Sequence, residues 1–190
     1  MKWIGERISF VDKKDSISFI IYPPKLGRKK ILILIWFALW VLIGGYVTSQ
    51  LFQEYSQEEK LALFIFMIFW LYFALRVLRT ILFLFFGKEY IKLDVSSLRV
   101  KKATGSYGRS KQYFIENINK LSLISLKDNS FQKVYDDSPW VRGANRIQFE
   151  YFQKKYSFGR KLEEKDAEMM FKIITKRIEK FLNTKKKQSI

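Results

Sequence analysis

ILILIWFALWVLIGGYVTSQLFQ, residues 31–53, and LALFIFMIFWLYFALRVLRTILFLFF, residues 61–86, are the stretches from which the rest of the chain is read. The first holds 23 residues without a charge, and at about 1.5 Å of rise per residue such a helix exceeds the roughly 30 Å of a bilayer's hydrocarbon core. The second is uncharged over residues 61–75, about 22 Å of helix, before Arg76 and Arg79 enter at i, i+3. Spans at 31–50 and 61–86, with only 51–60 between them, predict a transmembrane helical hairpin that returns the chain to the side from which it came. Residues 1–30 and 87–190 then share one compartment.

Charge selects that compartment. Lys25, Arg28, Lys29 and Lys30 precede the first run, and Arg76, Arg79 and Lys88 follow the second, whereas the connector carries Glu54, Glu58 and Glu59 against Lys60. Lysine and arginine accumulate in short cytoplasmic segments, so both termini are expected in the cytoplasm of a multi-pass inner-membrane protein. The first run starts too late, is too long and lacks a small-residue cleavage pattern for a signal peptide, so an uncleaved span is expected. Arg76 and Arg79 admit two readings. Their side chains snorkel to the inner headgroups, or they form a functional pair that grips a lipid phosphate or an acidic partner.

The chain has no cysteine and no histidine, which removes disulfides, thiolate nucleophiles, Cys/His metal sites and a Ser-His-Asp relay. The densest acidic group, Glu163, Glu164, Asp166 and Glu168, opens a helix, where the macrodipole favours acids without any catalytic role. No glycine-rich phosphate loop is present. These features argue against an enzyme, and no cofactor is expected. The net charge is +17, of which residues 87–190 contribute +12. On a membrane-tethered chain such charge is accounted for by the anionic leaflet, at about 1 kcal/mol per nearby lysine or arginine, rather than by nucleic acid. The tail Lys185, Lys186, Lys187 fits the same account.

Beyond Gly87 the pattern changes to short strands. Residues 90–94 and 98–101 alternate around a turn at 95–97, and 103–108 turn before a strand over 111–115. A strand is expected over 118–126, turns at Asp128-Asn129-Ser130 and Asp136-Asp137-Ser138-Pro139, and a less defined segment over 131–135. Residues 146–151 and 155–158 make the clearest hairpin, turning at Gln153-Lys154. From 163 to 182, Ala167, Met170, Phe171, Ile174, Ile178 and Phe181 form one helical stripe suited to covering a sheet. At the amino terminus, 8–11 and 16–22 read as a β-hairpin stopped by Pro23-Pro24, placed to dock on the carboxy-terminal sheet. The expected fold is α+β, with a cytoplasmic amino-terminal β-hairpin and basic flank (1–30), a membrane hairpin (31–86) and a cytoplasmic domain of strands closed by a carboxy-terminal amphipathic helix (87–190).

Gly87-Lys88-Glu89, Ser97-Leu98-Arg99-Val100, Gly108-Arg109 and Tyr113, followed by Phe158-Gly159-Arg160, Leu162 and Asp166-Ala167, stand in this order behind the two apolar runs. In that layout the chain resembles small bacterial membrane proteins with a pleckstrin-homology-like domain. More distantly it is similar to the photosystem I assembly factor family of chloroplasts and cyanobacteria. The resemblance implies a β-sandwich or barrel closed by a helix, and a non-enzymatic binding or assembly module. It also draws attention to Lys101, Lys102, Arg109 and Lys111, which fall at a spacing similar to the basic residues with which pleckstrin-homology domains hold inositol phosphates. A solvated basic hairpin accounts for them equally.

Three functions are therefore open. The first is an interaction or assembly module that binds a membrane-protein partner or a second copy of itself, with Trp140 beside Pro139 as contact residue, unless that indole caps the barrel instead. The second is recognition of an anionic lipid headgroup through Lys101, Lys102, Arg109 and Lys111. The third, less supported by an apolar first helix, is a pore or effector formed by hairpin oligomerisation, and Gly44-Gly45 allows the close helix packing of an ordinary hairpin.

Overall fold

The computed structural model describes residues 1–125 and 130–188, the side chains of Asp137 and 185–188 excepted. The turn expected at Asp128 and Asn129, and the side chains of Lys185, Lys186 and Lys187, lie outside the described residues. The fold is α+β, with two long apolar helices and a domain of two antiparallel sheets.

The larger sheet has six strands in sequence order: β1 (Lys2–Ile4), β2 (Ile8–Asp12), β3 (Ser16–Ile21), β4 (Gly87–Asp94), β5 (Ser97–Thr104) and β6 (Ser110–Phe114). Strands β3 and β4 are hydrogen-bonded neighbours, in register from Ser16 opposite Asp94 to Ile21 opposite Glu89. The apolar hairpin is thus inserted between two adjacent strands of one sheet, with 65 residues separating the ends of β3 and β4 in sequence. Period-2 alternation places Ile17, Phe19 and Ile21 of β3 and Ile91 and Leu93 of β4 in the core. Strand β1, too short to leave a periodic signal, adds an edge.

The smaller sheet comprises β7 (Ile118–Leu123), β8 (Asn145–Tyr151) and β9 (Lys154–Arg160). Strand β7 shifts register between Asn119 and Ser122, where Lys120 takes a φ of 48°. The turn joining β8 to β9 is made by Phe152 and Gln153, both with positive φ, one residue earlier than the sequence pattern suggests. Helix α4 (Glu164–Gln188) buries Ala167, Met170, Ile174 and Phe181 against a core that also holds Ile147, Phe149 and Phe158. Residues 131–137 form about two helical turns, α3 (Phe131–Asp137), capped by the Ser130 hydroxyl, which accepts from the Lys133 amide at 3.2 Å.

The hairpin consists of α1 (Lys29–Gln50) and α2 (Gln57–Phe86). Both are long and apolar enough to cross a membrane. A capping box starts α2: the Ser56 hydroxyl accepts from the Glu59 amide, and the Glu59 carboxylate accepts from the Ser56 amide at 2.9 Å. The helices touch where Gly44 meets the Trp70 ring, so close that a β-carbon at Gly44 would overlap the indole. There the Trp70 indole donates to the Trp40 carbonyl at 3.2 Å. Burial divides α2 sharply. No residue from Gln57 to Phe73 is buried, whereas Ala74, Val77, Thr80, Ile81, Phe83 and Leu84 are. Helix α2 then passes directly into β4, with Gly87 in extended conformation and the Gly105 amide donating to the Phe86 carbonyl at 2.9 Å.

Candidate functional site

A cleft of about 770 Å³ lies where the hairpin meets the sheet domain. Helix α1 contributes Trp36 and Trp40, one turn apart on one face. Helix α2 contributes Phe73, Arg76, Val77 and Arg79, α3 contributes Tyr135, and the segment after α3 closes the cleft with Trp140 and Arg142.

That segment is pinned on both flanks. The Asp136 carboxylate, 4 % exposed, accepts from the Arg146 guanidinium at 2.9 Å and from the Ala144 amide. Lys161 reaches under the loop and donates to the Ser138 carbonyl at 2.7 Å. Gly143, at a φ of +73°, lies against the Lys161 stem, a conformation that a side chain there would strain. So anchored, the loop sets Trp140 on Trp36 with ring centroids 4.5 Å apart. Arg76 donates to the Tyr135 hydroxyl at 3.3 Å and to the Tyr72 hydroxyl at 3.3 Å, tying α2 to α3.

The cleft is positive. Its lining includes three arginines and, among the described residues, no carboxylate. Partial burial holds the Arg142 guanidinium below its ordinary pKa, and the charges of Arg160 and Arg79 push the same way, while Glu89 opposes them. Trp40 adds a buried indole Nε1–H that has no hydrogen-bond partner among the described residues. Arginine and tyrosine ordinarily titrate far above neutrality, so these groups suit the retention of an anion rather than proton transfer.

The basic residues singled out by sequence are placed unevenly. Lys102, Arg109 and Lys111 line a smaller cavity of about 280 Å³ with Tyr113, Phe149 and Tyr156. Lys101, its neighbour in β5, projects from the other face and lies over the Tyr90 ring at 5.9 Å. Lys102 donates to the Ser157 carbonyl at 2.8 Å, and burial lowers its pKa. Lys111 lies over the Tyr156 ring at 6.0 Å. On the amino-terminal flank, Lys25 pairs with Glu6 at 3.1 Å, Arg28 and Lys29 begin α1, and Lys30 lies over the Phe85 ring.

Arg76, Arg79 and Trp140, read separately in the sequence, meet in the larger cleft. Tyr135 and Arg142 were not read as site residues. Phe131, Val134 and Tyr135 recur at i, i+3, i+4, but over seven residues that spacing is too short to establish a helix. Comparison with models of known families, with curated proteins and with solved structures gives no match to this chain.

Proposed function

We propose that the protein is a non-enzymatic, membrane-anchored interaction and assembly module of the cytoplasmic membrane. In this reading α1 and α2 span the bilayer, both termini are cytoplasmic, and a pleckstrin-homology-like domain is held against the inner leaflet to engage a membrane-protein partner. The observation that carries it is the insertion of the hairpin between β3 and β4, because both legs then enter one sheet and the domain cannot swing away on a linker.

Further features support the reading. The exposed apolar surface of α2 from Leu61 to Phe73 matches lipid as its surroundings, since water-exposed helices of this length carry a polar face. Trp36 and Trp140 meet where the hairpin joins the domain, with ring centroids 4.5 Å apart, which is where interfacial aromatics belong. Phe131, Val134 and Tyr135 remain exposed on α3, beside Arg76, and offer a contact surface in the plane of the membrane. Two sheets closed by α4 are what the resemblance to pleckstrin-homology-like membrane proteins implies.

Because the chain lacks cysteine, single cysteines report topology without background. Gln53→Cys should react with a membrane-impermeant maleimide in intact cells, and Lys14→Cys and Lys120→Cys only after lysis. Release of the protein by alkaline carbonate, or labelling of all three positions from outside, would refute the anchoring. Purification of the tagged chain in a mild detergent should then return a stoichiometric membrane protein or a homo-oligomer. Recovery of the chain alone would leave the anchor standing and remove the assembly role.

A further inference from the structure

We infer that the cleft between the hairpin and the 138–144 loop is a binding site for one anionic phospholipid, its phosphate held by Arg79 and Arg142 and its glycerol and acyl region lying along Trp36, Trp40 and Phe73. The inference rests on the membrane-anchored reading and adds to it a ligand and a site, distinct from the basic pocket of β5 and β6.

Three observations converge on a ligand that is both anionic and apolar. The lining combines the aromatic rings of Trp36, Trp40, Phe73 and Trp140 with the guanidinium groups of Arg76, Arg79 and Arg142. No carboxylate among the described lining residues neutralises those charges, although the protein supplies such partners elsewhere, as Asp136 does for Arg146. Arg76 is committed to Tyr72 and Tyr135 and so fixes the wall, while Arg142 feels the like charges of Arg160 and Arg79, opposed by Glu89, and a bound anion adds to that opposing charge.

Position selects lipid as the source of that anion. Along α2 the arginines follow the uncharged residues 61–75, which give about 22 Å of helix and bring Arg76 and Arg79 to the inner headgroup region when the connector lies at the opposite surface. A cavity of about 770 Å³ accommodates a headgroup with the adjoining part of its chains and leaves the remainder in the bilayer. Guanidinium groups hold phosphate oxygens in a fork, which lysines at the same places would do less well.

The test is native mass spectrometry of the full-length protein in neutral detergent, titrated with dioleoylphosphatidylglycerol or dioleoylphosphatidylcholine. One phosphatidylglycerol per chain should be retained in preference to phosphatidylcholine. Arg79→Gln with Arg142→Gln should weaken that retention at least tenfold, Arg79→Lys with Arg142→Lys should restore part of it, and Lys102→Gln with Arg109→Gln should leave it unchanged. Equal retention of the two lipids, or insensitivity to the double glutamine variant, would overturn the site. Displacement of the lipid by millimolar inorganic phosphate would overturn it as well, in favour of a site for the free anion. A photoactivatable phosphatidylglycerol supplies a readout that needs no variant: on the wild-type protein it should label the peptide containing Trp140, and labelling confined to other peptides would count against the cleft. A carbonate wash of the same membranes separates the failures. A chain that resists the wash without preferring an anionic lipid refutes the site alone, whereas a chain that washes off refutes the anchoring on which it rests.

Discussion

Glu89 is the residue whose replacement most directly tests how the two sheets are joined. It lies on β4, is 4 % exposed, and sends its carboxylate across to β9, where it accepts from the Gly159 amide at 2.8 Å and the Arg160 amide at 3.3 Å. Arg7, Lys102 and Arg142 all feel its negative charge. Arg7 clasps the same strand end from the other side, donating to the Arg160 carbonyl at 3.3 Å and to the Lys161 carbonyl. Glu89→Gln keeps the volume but loses the charge, and it turns an acceptor into an NH2 group that faces a backbone N–H. Losing a hydrogen bond to a charged acceptor costs about 1.5–3 kcal/mol. Two such bonds at one buried carboxylate put the expectation at the upper end, about 3 kcal/mol. For a chain of this length that corresponds to a fall in Tm of roughly 6–12 °C. Thermal melting of the full-length protein in neutral detergent, followed by near-ultraviolet circular dichroism, reads the effect. Glu6→Gln, which breaks only an ion pair exposed on both sides, should move Tm by little. If Glu89→Gln melts within about 2 °C of the wild type, the carboxylate is not what ties β4 to β9, and the hydrogen-bond reasoning fails.

Three further outcomes are expected. Gly44→Leu forces a side chain into the Trp70 ring and should destabilise the hairpin by about 1–3 kcal/mol, read as earlier thermal loss of the tryptophan near-ultraviolet signal, whereas Gly45→Leu, which meets open space, should not. Asp166 has a pKa raised by burial, with the Glu163 charge adding and Arg7 opposing. A carboxyl raised in the folded state contributes stability that is complete below its unfolded pKa of about 3.9 and is lost as pH rises through the folded value. Asp166→Asn should therefore raise Tm at pH 7 and lose that advantage toward pH 3.5 (about the unfolded value), and a lowered Tm at pH 7 would show that the Arg7 attraction outweighs burial. A chain retaining only Trp140 of its five tryptophans should be quenched in vesicles by phospholipid brominated near the headgroup more than by lipid brominated near the chain ends, and equal absence of quenching would remove Trp140 from the membrane surface.

Much of the fold is legible because its elements announce themselves by period. Residues 31–53 and 61–86 leave no alternative to long apolar helices, and the strict alternation of 146–151 and the stripe from Ala167 to Phe181 specify a strand and a sheet-covering helix. Helix α3 was obscured because a seven-residue segment has too few turns to distinguish periods of 2 and 3.6, and β1 because three residues show no period at all. The site was harder to read for a different reason. Arg76, Arg79 and Trp140 each stood out by composition or neighbours, yet their convergence depends on a separation of about 60 residues being closed by two hydrogen-bonded anchors, Asp136 to Arg146 and Lys161 to Ser138. Arg142 gave no signal among 35 lysines and arginines. Its significance comes from what surrounds it.

The two legs of the hairpin meet the sheet differently, and that asymmetry bears on how the cleft communicates with the domain. Helix α2 joins β4 without an intervening residue, braced by the Gly105 to Phe86 hydrogen bond at 2.9 Å and by the close approach of Gly87 to Phe83. Between β3 and α1 stand seven residues, 22–28, including Pro23-Pro24 and Gly27 at a φ of +52°. A change in the angle of α2 is therefore carried straight into β4 and its neighbour β5, whereas α1 can adjust through its longer connection. The cleft touches both legs, through Trp36 and Trp40 on one and Arg76 and Arg79 on the other, and its remaining wall is the loop pinned to the smaller sheet. Anything held there acts as a wedge among three independently anchored surfaces. It can shift the angle of the domain only by the difference in its affinity for the arrangements available, so a ligand that binds all of them equally moves nothing. Glu89 is the third residue of β4 after the end of α2 and grips β9, so the same strand that receives the helix also carries the contact between the sheets.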